Sequence, residues 1–158
     1  MFRKILISAA AATLFIATVA SAATVYSNGR FGYSVIIPPG FSAIEEAMNG
    51  DGGFSKDVNG SAVLAVWGNH ITQGNFADEV AERIRQHRVD GWTITYERQT
   101  RRWASWSGSK GNEIFYQRSI PACDGAVVHF HIEYSRSQAA EYDEIVSNLV
   151  QSLRSSNC

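Results

Sequence analysis

The chain has 158 residues, 45% of them hydrophobic and 18% charged, with 14 Lys and Arg against 15 Asp and Glu, for a formal net charge of −1. This length supplies one domain with one core. A near-neutral, slightly acidic balance argues against nucleic acid as a partner, because binding the phosphate backbone demands a basic face.

The first segment, MFRKILISAAAATLFIATVASAA, has a short positive start at Arg3 and Lys4, an Ala-rich apolar run from Ile5 to Val19, and the small-x-small triplet Ala20-Ser21-Ala22. That is the layout of a secretory signal peptide, with cleavage expected after Ala22. The apolar run is shorter than the ~20 residues of a spanning helix and is interrupted by Ser8, Thr13 and Thr18, so no membrane anchor is expected after cleavage. Residues 1–22 then form the leader and residues 23–158 a single exported domain, periplasmic or secreted, with a balance of −3.

Residues 30–37 (RFGYSVII) read as a strand stopped by Pro38-Pro39-Gly40, and residues 41–46 as a short second strand. NGDGG at 49–53 is a turn-rich loop. Residues 54–58 and 61–68 form a hairpin through Asn59-Gly60, the pair that fits the two positive φ values of a type I′ turn. Asn75 is an N-cap with Asp78 three residues on, and Phe76, Val80, Ile84 and His87, with Ala77 and Ala81, form an apolar stripe at helical spacing up to Gly91. Four strands follow, at 92–98, 102–108, 113–120 and 126–134, with turns at 107–112 and 121–125. A helix over 137–153 carries Tyr142, Ile145, Val146, Leu149 and Leu153 on one face. Short connections make neighbouring strands antiparallel. The fold class is α+β: an antiparallel sheet of six or seven strands covered by two helices.

The opening NGRFGYSVIIPPGF, a hairpin with a Trp-bearing strand, one helix, a four-strand meander and a closing helix ending QSLR resemble the PsbP-like domains, above all small exported bacterial proteins of that shape. The resemblance spans most of residues 23–158 and rests on turn and core residues. It implies an α/β/α sandwich and a binding or accessory role. It carries over no functional residue.

Two cysteines, Cys123 and Cys158, stand in the exported part, and an oxidising compartment favours a disulfide between them. The strand leaving Cys123 runs roughly 30 Å at ~3.3 Å per residue. A helix of roughly 25 Å packed back along it returns the chain end beside Cys123.

His129, His131 and Glu133 alternate along AVVHFHIEY and share one strand face. Two imidazoles at this spacing can converge on a zinc-sized ion, with Glu133, His70 or Glu113 as a third ligand. A polar face lying under solvent or a loosely packed helix accounts for the same pattern and is the expected arrangement. Arg98, Arg101, Arg102 and Trp103, with Trp106, form the densest basic and aromatic cluster, able to stack on a ring or hold an anion or an acidic partner. Strand parity puts Trp103 and Trp106 on opposite faces, and the company of Ala104 assigns Trp106 to the core and Trp103 to the surface beside Arg101. GSKG at 108–111 lacks the order of a phosphate loop and reads as a hairpin turn, and no nucleophile elbow occurs. No motif calls for a cofactor. The leading expectation is a non-catalytic accessory or binding protein of the cell envelope, its partner an unknown envelope protein or small ligand. The alternatives are a metal-assisted hydrolase using His129 and His131, and an inhibitor or toxin-neutralising protein.

Overall fold

A computed structural model describes residues 22–72 and 74–156. The predicted leader, up to Ser21, and Cys158 lie outside the described residues. Among the described residues ten strands and two α-helices run in the order β1 (Thr24–Asn28), β2 (Tyr33–Ile37), β3 (Glu45–Glu46), β4 (Gly52–Lys56), β5 (Ala62–His70), α1 (Phe76–Val89), β6 (Thr93–Gln99), β7 (Ala104–Lys110), β8 (Glu113–Pro121), β9 (Ala126–Ser135), α2 (Ala139–Ser152) and β10 (Arg154–Ser155). Seven strands form one antiparallel sheet in the order β3-β4-β5-β9-β8-β7-β6. The strand expected at 30–37 is not in it. As β2 it sits between β1 and β10 in a separate three-stranded sheet.

The alternation of β9 decides the layering. Val128, Phe130, Ile132 and Tyr134 meet Leu64 and Val66 of β5, Tyr33, Val35 and Ile37 of β2, and Tyr142, Leu149 and Leu153 at α2. The small sheet and α2 therefore cover one face of the large sheet. On the opposite face Val80 and Ile84 of α1 pack with Ala104, Trp106 and Phe115, and Phe76, Trp92 and Ile94 border that second core. The result is an α+β sandwich with one helix on each side.

Both helices follow from their sequences. Asn75 caps α1 by accepting from the backbone N–H of Ala77 and Asp78, and the Asp78 carboxylate accepts from the Asn75 N–H at 3.0 Å, a reciprocal capping box. Gly91, at φ 90°, closes the helix. Phe76, Val80, Ile84 and His87 face the sheet as the spacing predicts, whereas Ala77 and Ala81 are exposed. All five apolar positions read on α2 belong to the larger core.

Two turns and one strand differ from expectation. In the β4–β5 connection only Gly60 has positive φ, so the Asn59-Gly60 turn is not type I′. The Asp57 carboxylate organises the loop instead, accepting from the Ser61 N–H at 2.7 Å and the Ser61 hydroxyl at 2.5 Å. The β7–β8 turn is only Gly111-Asn112, since Lys110 pairs with Glu113, and the loop predicted over 107–112 is mostly strand. Gly108 is within β7 rather than in a turn: a Cβ there would lie 2.7 Å from the Phe115 ring, so glycine makes room for that ring. In β6 the register shifts between Ile94 and Tyr96. That bulge turns Tyr96 away from Trp92 and Ile94, with which a regular strand would align it.

Candidate functional site

The predicted ligand row His129, His131 and Glu133 faces α1, as alternation requires, but the three do not converge. His129 is fully buried and stacks on Trp67 with ring centroids 4.8 Å apart. Its Nε2–H donates to Asn69 Oδ1 at 2.9 Å and its Nδ1 accepts from the Ser119 hydroxyl at 2.6 Å. Asn69 Oδ1 also accepts from Arg83 at 2.7 Å, and Arg83 pairs with Glu79. Burial first, and then the Arg83 charge, hold the His129 pKa well below its ordinary value. His131 bonds Gln117 Oε1 at 3.1 Å and Glu133 Oε1 at 2.8 Å, and that bond to His131 lowers the Glu133 pKa. Among the described residues no three His, Cys, Asp or Glu side chains gather as metal ligands. His70 packs on Phe31, and Glu113 sits opposite Ser135 at the other end of β9. Ser119, His129 and Asn69 form a relay resembling a hydrolytic triad, yet Ser119 and His129 have 0% exposure, so no substrate reaches the hydroxyl. The network fastens α1 to the sheet.

The Arg-Trp cluster is arranged differently. Trp106 is fully buried beneath α1. Trp103 is half-buried on the opposite face, at the end of the Thr100–Trp103 turn. Its partner is not Arg101 but Arg118 of β8, whose guanidinium carbon lies 4.5 Å from the Trp103 ring centroid. Register explains the encounter: Arg98, Ser105, Arg118 and Phe130 are cross-strand neighbours along one row and share one face. The next row holds Tyr96, Ser107, Tyr116 and Ile132, and the Tyr96 and Tyr116 rings stack 6.4 Å apart. The β6 bulge is what brings Tyr96 into this row. Arg101 and Arg102 are exposed at the turn tip and Arg154 of β10 lies close enough to disfavour the Arg118 charge.

On this face α2 and the small sheet lie over β5 and β9 and reach only the border strand β8, where Ile114, Tyr116 and Ile120 pack partly against the larger core. At and beyond the edge of that cover Tyr96 and Arg98 are exposed, Trp103, Ser107, Tyr116 and Arg118 are half-buried, and Ser105 is closed beneath them. Arg118 donates from Nη1 to Ser105 Oγ at 3.0 Å, while its Nε is buried without a partner. An unmade bond of that kind costs ~1–3 kcal/mol, and stacking on Trp103 offsets roughly 0.5–2 kcal/mol of it. Burial, chiefly, lowers the Arg118 pKa and raises that of Tyr116, so the surface keeps a guanidinium beside a neutral phenol. This half-face can stack on planar groups and donate to acceptors. Arg118, Tyr116, Tyr96 and Ser105 are its unforeseen members. Their signal lay in cross-strand register, which a single strand does not display.

Comparison with family models and with curated protein sequences gives no match. Among solved structures, the solution structure of cyanobacterial PsbP (CyanoP) from Synechocystis sp. PCC 6803 superposes with a TM-score of 0.60 at 11% identity, covering 92% of this chain and 98% of that one. The crystal structure of the Saccharomyces cerevisiae Ran-binding protein Mog1p gives 0.61 at 9% identity over 84% of this chain and 95% of that one. A point variant of protein Mog1 gives 0.60 with the same identity and coverage. The chain has the PsbP-like fold.

Proposed function

We propose that this chain is an exported, non-catalytic accessory or binding protein of the cell envelope, with residues 1–22 as its leader and residues 23–158 as one domain. Its contact surface is the open half-face of Tyr96, Arg98, Trp103, Tyr116 and Arg118. The observation that carries the reading is Arg118 stacked on Trp103 at the edge of a sheet face left uncovered beyond α2. Trp, Tyr and Arg dominate binding energy where a partner excludes water from them. The leader-like start supports export, and the yeast protein of this fold is described as Ran-binding, which supports a binding role on this scaffold. The test is cross-linking of tagged protein in envelope extract, comparing wild type with a Trp103→Ala, Arg118→Ala double variant. A partner recovered by the wild type and lost by the still-folded variant supports the surface. Equal recovery by both removes it.

A further inference from the structure

Of the ten described arginines, four stand in ion pairs and six do not. Arg30, Arg83, Arg85 and Arg88 each pair with a carboxylate, from Asp51, Glu79, Glu82 and Glu97 respectively. Among the described residues no ion pair includes Arg98, Arg101, Arg102, Arg118, Arg136 or Arg154. All but Arg136, which bonds the Gly111 carbonyl at the far end of the sheet, border or lie on one surface. The rows on that face of β6, β7 and β8 hold Tyr96 and Arg98, then Ser105 and Ser107, then Ile114, Tyr116, Arg118 and Ile120, with no Asp or Glu among them. In a chain with more acidic than basic residues, a cluster of uncompensated arginines is a segregation of charge.

Resting on the reading of this half-face as the contact surface, we propose that its partner is an acidic, extended protein segment whose carboxylates are held by Arg98 and Arg118 while its chain lies against Trp103 and the Tyr96–Tyr116 pair. Ser105 fixes the Arg118 plane through Nη1, and Trp103 supports its face, leaving Nη2 to donate. A guanidinium fixed in this way presents Nη2 to a carboxylate for a charge-assisted hydrogen bond. Arg98 and Arg118 sit two strands apart, roughly 10 Å at ~4.8 Å per strand, while alternate side chains of an extended segment are roughly 6.6 Å apart. Acidic side chains at two or three alternate positions therefore reach both. No lysine occurs in these rows and the chain is acidic overall, so a nucleic acid or an anionic bilayer, which both draw on wide basic surfaces, fits less well.

The test is a two-dimensional NMR titration of the ¹⁵N-labelled chain with a short oligo-L-glutamate. Oligo-L-glutamine, inorganic polyphosphate and phosphatidylglycerol vesicles serve as separate probes. Oligo-glutamate is expected to shift the Trp103 indole and the amides of Tyr96, Arg98, Ser105 and Arg118, and to weaken with salt. Arg118→Gln is expected to reduce its affinity roughly tenfold, the effect of losing one charge-assisted pair. Arg98→Gln repeats the test at an exposed position, should Arg118→Gln melt early. Arg136→Gln, at the Gly111 end of the sheet, should change nothing. Equal response to oligo-glutamine, equal loss in Arg136→Gln, or binding of polyphosphate or vesicles with oligo-glutamate silent each overturns the acidic segment. If the cross-linked partner is still lost with the Trp103→Ala, Arg118→Ala double variant while oligo-glutamate is silent, only the partner chemistry falls. If neither responds, the surface itself falls.

Discussion

The Arg118 guanidinium sits 4.5 Å from the Trp103 ring centroid, while Trp106, three residues on, is fully buried against α1 on the other side of the sheet. The two tryptophans therefore have separable roles. Trp106→Ala is expected to destabilise by about 3–5 kcal/mol, as buried aromatic truncations do. Trp103→Ala should cost about 1 kcal/mol, chiefly the lost cation–π contact. Urea unfolding of both variants checks this, and a Trp103→Ala cost equal to that of Trp106→Ala contradicts the assignment.

His129 makes stability pH-dependent. Its folded pKa lies well below its ordinary value, through burial and then Arg83. The folded state thus binds fewer protons than the unfolded one below about pH 6.5. Stability is full above that pH and is lost as pH falls, by about 1.4 kcal/mol per unit until the folded pKa is reached. His87, lowered mainly by burial but partly exposed, adds a smaller effect of the same sign. Unfolding free energies measured between pH 7.5 and 5.5 should decline, with a shallower slope in His129→Gln. An unchanged slope in that variant would show that other groups titrate.

The Tyr142 hydroxyl of α2 donates to Asp57 Oδ2 at 2.8 Å and so ties the helix to the β4–β5 turn. Burial opposes ionisation of Asp57, but bonds from Ser61 and Tyr142 outweigh it and lower its pKa. Burial, aided by the Asp57 charge, pushes Tyr142 up to about 12. The Asp57 contribution is present above its unfolded pKa of about 3.9 and disappears as pH falls through the folded value. Tyr142→Phe should cost about 1 kcal/mol and Asp57→Ala about 2 kcal/mol or more, because the latter leaves Ser61 and Tyr142 donors without an acceptor. Thermal melts at neutral pH measure both, and a larger loss in Tyr142→Phe would reverse the order of importance.

Cys123 Sγ lies 3.6 Å from the carbonyl oxygen of Ser156, two residues before Cys158. With α2 packed along β9 and β10 joined to β2, the chain returns to Cys123 at Ser156. Protein made in an oxidising compartment is expected to show no titratable thiol when native. Reduction should lower its melting temperature, by the equivalent of roughly 4 kcal/mol on the chain-entropy model. Two thiols titrating in unreduced native protein would exclude the Cys123–Cys158 bond.

Local chemistry was readable where a local pattern suffices. Asn75 and Asp78 bond each other's backbone, so the start of α1 needs no tertiary partner. The facing of Trp106 follows from period-two alternation with Ala104. Alternation failed at Tyr96, because a bulge adds a residue and moves every later side chain to the other face. The His129 row was correctly placed on one face but not in its setting. Its bonds to Asn69 and Ser119 join residues 60 and 10 positions away, a pairing set by strand order.

The amino-acid sequence by itself determined the two helices, most of the strands and the α+β class. Each depends on residues within a few positions of one another, where backbone preferences and side-chain period act directly. The tertiary structure decided that β2 leaves the main sheet, that Arg118 rather than Arg101 meets Trp103, that His129 is sealed from solvent, and that the β6–β7 half-face stays open. These depend on register and on which helix covers which strands. Both are fixed by the packing of distant apolar faces against one another, which no single segment carries.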